Sequence, residues 1–110
     1  MIQDPDIVDL VVARRDGSVE LSMFEERPWD GSVERLQELE DKVSSYVTFV
    51  VDGHLRRQHP DIDAQRIHIK LHYRNRMDSR TRAMLPDIEL ALAEFGIDFS
   101  IAHLREITAG

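Results

Sequence analysis

The sequence predicts an α+β fold: a two-layer sandwich in the order ββαβαβ, with a four-stranded mixed sheet and two helices on one face. Three observations predict it. Residues 7–25 alternate apolar and polar around Asp16-Gly17, the pattern of a β-hairpin. Leu36, Leu39, Val43, Val47 and Val50 recur at three- and four-residue steps, which makes one stripe on a helix. Ile67, Ile69, Leu71 and Tyr73 alternate with His68, Lys70, His72 and Arg74, the two-residue period of a strand with one greasy side. Such strands and helices bury their apolar sides by stacking in layers.

In the hairpin, Asp16-Gly17 suits a type I′ turn, since glycine reaches positive φ without strain. A two-residue loop pairs Arg15 with Ser18, sets Val12 opposite Leu21 and sets Leu10 opposite Met23. Those four share a face with Val8 and Val19. Asp9, Val11, Ala13, Glu20, Ser22 and Phe24 take the other face. Residues 26–31 hold Pro28 and Asp30-Gly31 and read as a loop. Ser32 then caps a helix running to about Asp52, which Gly53 either ends or carries on to Leu55. Tyr46 to Val51 is β-branched and aromatic enough for a strand, but the unbroken stripe favours a helix. Tyr46, Phe49 and Val51 then widen its apolar arc, so it needs a second contact, from the other helix or from another subunit.

Residues 59–63 form the next loop, 66–74 a strand, and 75–78 a loop leading to a helix capped by Asp78 or Ser79. Pro86 lacks an N–H, so a kink or fresh start is expected there. Ile88, Leu92 and Phe95 form that helix's buried stripe, Gly96 stops it, and 98–104 is the last strand with Phe99 and Ile101 inward. The expected strand order is 2-1-3-4, with connections kept right-handed.

At 110 residues the chain is one domain, with residues 1–5 and 105–110 expected to be flexible. It has no cysteine, which removes disulfide and thiolate chemistry and fits a reducing cytoplasm. The N-terminus is acidic without the apolar core of a signal peptide, and no run is long enough to cross a bilayer. No membrane partner is expected. A net charge of −7 opposes polyanions. Leu55-Arg56-Arg57 and Arg74 to Arg82 are locally basic, but only Tyr73 is near for stacking, so no nucleic-acid partner is expected. An acidic surface does suit a basic protein partner.

Both strands that lead into helices must point the same way, so their carboxyl ends share a rim, the usual ligand position in such sheets. The loops there carry Glu25, Glu26, Arg27 and Trp29 on one side and Arg74, Asn75, Arg76 and Asp78 on the other. Arg27, Trp29, Arg74 and Arg76 are the candidate ligand-binding residues: guanidinium groups can grip an anion, and indole can form a wall. The plainer reading has Trp29 plugging the core while the arginines pair with carboxylates. Tyr46, Phe49 and Val51 are the candidate interface. His68 and His72 have H-x-x-x-H spacing, but on a strand they stand about 13 Å apart with Lys70 between them. No metal site is expected. His54 and His59 flank a helix end, and His103 lies near the end of the last strand. There is neither a glycine-rich phosphate loop nor a Gly-x-Ser-x-Gly elbow, so no catalytic residue and no cofactor is assigned.

The run Arg27-Pro28-Trp29-Asp30-Gly31-Ser32, followed by Leu36, Leu39, Lys42, Tyr46, Phe49 and Gly53, resembles a set of small, mostly bacterial proteins grouped as a domain of unknown function. The resemblance spans the chain from hairpin to last strand. It implies a compact stand-alone domain and brings no reaction, cofactor or catalytic residue. The function expected is that of a non-catalytic interaction domain that self-associates as a homodimer. The alternative is a small-molecule or anion binder, or an enzyme, using the rim.

Overall fold

The computed structural model describes residues 1–62 and 66–104. It holds strands β1 (Leu10–Ala13) and β2 (Ser18–Glu25), helices α1 (Val33–Val51) and α2 (His54–Gln58), strand β3 (Arg66–Tyr73), helix α3 (Ser79–Ala93) and strand β4 (Ile97–His103). The expected looseness of residues 105–110 lies outside the described residues, as does the last position of the loop at 59–63.

The sheet runs β1-β2-β3-β4, with β1 antiparallel to β2 and the other three strands parallel. This corrects the expected order 2-1-3-4. β2 is eight residues long and buried at nearly every position, whereas β1 has four residues and exposed ends. The long, buried strand takes the interior place and the short one the edge.

The hairpin register also differs from expectation, by one residue. Among the described residues only glycines have positive φ, so Asp16 cannot take the first central position of a type I′ turn. Instead the Gly17 N–H donates to the Arg14 carbonyl at 3.2 Å and the Arg14 N–H to the Ser18 carbonyl at 2.9 Å. The Asp16 carboxylate accepts from the Ser18 N–H and hydroxyl. The loop therefore has three residues and ends on Gly17 at φ 90°. Val11 faces Leu21 and Ala13 faces Val19, while Leu10 and Val12 move to the opposite face, beside Ser22 and Glu20. One extra loop residue exchanges the faces of β1 because side chains alternate with period two.

Val19, Leu21 and Met23 from β2, Ile69 and Leu71 from β3, and Ile97 and Phe99 from β4 meet Leu39, Val43 and Tyr46 from α1 and Ile88 and Leu92 from α3. The segment Tyr46–Val51 is helical. Ser32 caps α1 by accepting from the Arg35 N–H. The buried stripe of α1 is Arg35, Leu39, Lys42, Val43 and Tyr46, rotated from the expected one, and Phe49, Val47 and Val50 pack at its margin. Gly53, at φ 80°, ends α1 and starts the unexpected short α2, which buries Leu55. α3 passes through Pro86 as one span. Phe95, expected in its stripe, is 56% exposed, because it lies beyond the last helical residue, where the helical period no longer aims it. No described helix is long and apolar enough to cross a membrane.

The N-terminal arm packs along the sheet and α1. Ile2 is 1% exposed, and its N–H donates to the Phe24 carbonyl. The fully buried Lys42 ammonium donates to the Asp4 and Ile7 carbonyls and to the Asp9 carboxylate. The Tyr46 hydroxyl accepts from the Asp9 N–H at 2.9 Å and donates to the Ser22 carbonyl at 2.6 Å. Tyr46→Phe removes both of these hydrogen bonds, the one to Ser22 being buried, and is expected to lower the unfolding free energy by about 2 kcal/mol. Lys42→Met is expected to cost at least as much, since it takes the ammonium from the Asp4 and Ile7 carbonyls and leaves Asp9 with the Met1 ammonium as its one cation. Urea denaturation followed by Trp29 fluorescence checks both.

Candidate functional site

β2 ends at Glu25 and β3 at Tyr73, side by side and parallel, so the loops that follow form the rim expected from the sequence. Glu25 is fully buried there. Its carboxylate accepts from the Arg27 backbone N–H, from Arg27 Nε and Nη2 at 2.9 and 2.8 Å, and from Arg35 Nη1 at 2.9 Å. Glu38 accepts from the same two arginines. Arg35 also donates to the Pro28 carbonyl and lies 5.2 Å over the Trp29 ring. Burial pushes the Glu25 carboxyl up, but the hydrogen bonds from Arg27 and then Arg35 outweigh it and hold it below its ordinary range.

Trp29 is 8% exposed and closes the end of the core. On the opposite loop, Arg74 pairs with Glu26 at 3.3 Å and Asn75 Nδ2 donates to the Glu26 carbonyl. Asp78 caps α3 by accepting from the Thr81 N–H and hydroxyl. The Trp-Asp-Gly loop rests against that cap: Gly31 has φ 68°, and a Cβ there would lie 2.9 Å from Asp78 Oδ1. Arg76 stands exposed and apart. Of the four candidate binding residues, Arg27 and Trp29 therefore share one network, Arg74 belongs to a neighbouring pair, and Arg76 joins neither. The rim is packed and charge-paired, with no open anion cradle among the described residues.

Sequence reasoning missed Arg35 and Glu38. Their signal was present, because a helix capped at Ser32 puts Arg35 one turn in and Glu38 three residues on, on the same side. Of the candidate interface residues, Tyr46 is fully buried within its own chain, Phe49 is half-buried beside the His54 ring, and Val51 is 58% exposed. They do not form one surface.

The sheet side away from the helices carries a second polar group. Glu20 accepts from Arg14 and, at 2.5 Å, from the Ser22 hydroxyl. Burial pushes its carboxyl up, and Ser22 and Arg14 more than offset this, so it stays below the usual carboxylate range. His72 stacks on Phe24 at 4.8 Å, with Nε2 3.6 Å from Glu20. His68 Nε2 meets Ser100 Oγ at 2.6 Å; burial and then Arg14 favour its neutral form. His103 lies on the helix side, against the Arg74 carbonyl. No three metal-ligating side chains converge among the described residues. Clefts lie elsewhere: one of about 590 Å³ between the hairpin turn and α3, where Arg66 is paired with Asp98, and one of about 670 Å³ between the N-terminal arm and α1.

Glu25→Gln is expected to cost about 3 kcal/mol, because Arg35 then keeps a buried charge with one of its two carboxylate partners. The acid limb gives a second readout. The folded carboxyl titrates below its ordinary value of 4.5, so its stabilisation is complete above that value and is lost as pH falls through the folded one. The variant should therefore lose less stability than the parent between neutral pH and the acid range, as measured by thermal melts.

No curated protein and no solved structure matches the chain. The model of a family of unknown function, DUF6572, matches residues 1–105, and the chain belongs to that family.

Proposed function

We propose that this domain works by contact rather than by chemistry, as a non-catalytic interaction domain whose first partner is a second copy of itself. One observation carries the reading. β2, β3 and β4 form a parallel ladder, and parallel sheets are almost always covered on both faces. Here both long helices pack on one face, and no described helix covers the other.

The charge on that face supports a like partner. The chain carries −7, whereas the open face has Arg14, Arg66 and Lys70 against Glu20 and Asp98. Two copies repel each other over most of their surface and least there. Leu10, 47% exposed at β1, adds apolar area to the same side. The anion-binding or enzymatic alternative at Arg27, Trp29, Arg74 and Arg76 has less support, because two of its three guanidinium groups are already held by carboxylates. The acidic remainder of the surface suits a basic protein as a further partner. The setting that fits is a bacterial cytoplasm, in keeping with the cysteine-free composition.

Sedimentation velocity from low to high micromolar concentration tests the reading. A concentration-dependent dimer is expected. Added salt should strengthen it, because screening weakens the repulsion between two acidic chains. A monomer throughout overturns the reading.

A further inference from the structure

We propose that two copies of this chain join along β4, antiparallel about a two-fold axis at Ser100, so that their sheets run on as one sheet of eight strands. The proposal rests on the self-association reading but places the contact on the β4 edge of the sheet rather than on its open face.

The sheet has two edges of different character. β1 is four residues long and is bounded by Asp9, Arg14 and Arg15; shortness and flanking charge discourage pairing. β4 has seven residues, Ile-Asp-Phe-Ser-Ile-Ala-His. It contains no proline, glycine, lysine or arginine, and its one carboxylate, Asp98, is engaged by Arg66 at 2.6 Å. Among the described residues, no proline, bulge, lysine or covering helix blunts this edge.

The backbone supplies the register. The Leu104 N–H donates to the Tyr73 carbonyl, so even-numbered residues of β4 turn their N–H and C=O toward β3. In a parallel pair, both groups of the alternate residues turn the other way. Ile97, Phe99, Ile101 and His103 therefore present theirs outward, where no described strand pairs with them. A two-fold axis that keeps the helices of both copies on one side sets residues of like face opposite each other. Centring it on Ser100 uses the whole strand: Ile97 meets the second copy's His103, Phe99 meets its Ile101, and about eight hydrogen bonds are exchanged. The Phe99–Ile101 pairs continue the core across the seam. Asp98 falls opposite Ala102, so no like charges face each other. Ser100 meets itself as a pair without backbone bonds, the closest kind, at about 4.5 Å between Cα atoms.

Ser100 is thus a single position that reads out the interface. Ser100→Lys puts two ammonium groups face to face and is expected to weaken self-association about a hundredfold. Ser100→Ala, which also loses the His68 contact, should leave the dimer intact. Mixing Ser100→Lys with Ser100→Glu should restore a heterodimer. Because the chain has no cysteine of its own, Ser100→Cys gives a second readout. With oxidised glutathione it should form an inter-chain disulfide far faster than Ser44→Cys on the exposed side of α1, since the expected Cα separation suits that bond.

The outcomes separate the proposal from the reading beneath it. A dimer that is indifferent to Ser100→Lys, or that cross-links equally at both cysteines, overturns the β4 seam and leaves self-association standing. A parent chain that stays monomeric at high micromolar concentration overturns both, even if the edge accepts a strand from another protein.

Discussion

A buried lysine governs how this molecule is put together. The Lys42 ammonium is out of water and has three donors, and it finds three oxygen partners: two carbonyls of the N-terminal arm and the Asp9 carboxylate. An ammonium without such partners would cost several kcal/mol to bury, so the arm must lie where it does. Asp9 also accepts from the Phe24 N–H, and Tyr46, one turn beyond Lys42, bonds Asp9 and Ser22. Arm, α1 and β2 are thereby tied at one point. The tie sets the rotation of α1 about its own axis. Lys42 and Tyr46 must face inward, so Leu39 and Val43 face the sheet and Arg35, two turns back from Lys42, faces Glu25.

The rim follows from that rotation. The carboxyl ends of parallel strands are where a doubly wound protein commonly binds its ligand, and the loops here have residues of the right type. Their charges turn toward each other instead. Glu25 lies under two guanidinium groups, Glu38 bridges the same pair, and Trp29 is covered by Arg35. A cluster of arginines and an aromatic in the sequence is equally the composition of an anion pocket and of a sealed loop. What separates the two is whether carboxylates turn toward the arginines, and here Glu25 does so from the end of β2 and Glu38 from α1.

The opposite side of the sheet shows the complementary economy of means. It is built with small residues, Ser22, Ser100 and Ala102, beside larger ones that lie flat: Phe24 against His72, and Arg14 over Glu20. Its polar groups bond mainly across strands, though the buried His72 Nε2 has no hydrogen-bond partner among the described residues. A parallel ladder finished in this way has one open face and one long, nearly uncharged edge, which suits contact with another surface better than turnover of a small molecule.

The sequence by itself determined the periodic features. The helical segment from Val33 to Val51, including its β-prone end, was legible from its spacing, the caps at Ser32 and Asp78 from side-chain chemistry, and β3 from strict alternation. These depend on neighbours within a few residues. So did the position of the rim loops. Tertiary structure alone decided the rest, because it depends on which distant groups meet. The hairpin register turned on Asp16 bonding Ser18 and adding one loop residue. β2 became an interior strand through its burial on both sides, and Tyr46 became a buried anchor rather than an interface through Asp9 and Ser22. The rim closed because Arg35 and Glu38, innocuous on a helical surface, fell within reach of Glu25 and Arg27 respectively. Local pattern records the period of an element; the partner of each charge is set only when the elements pack.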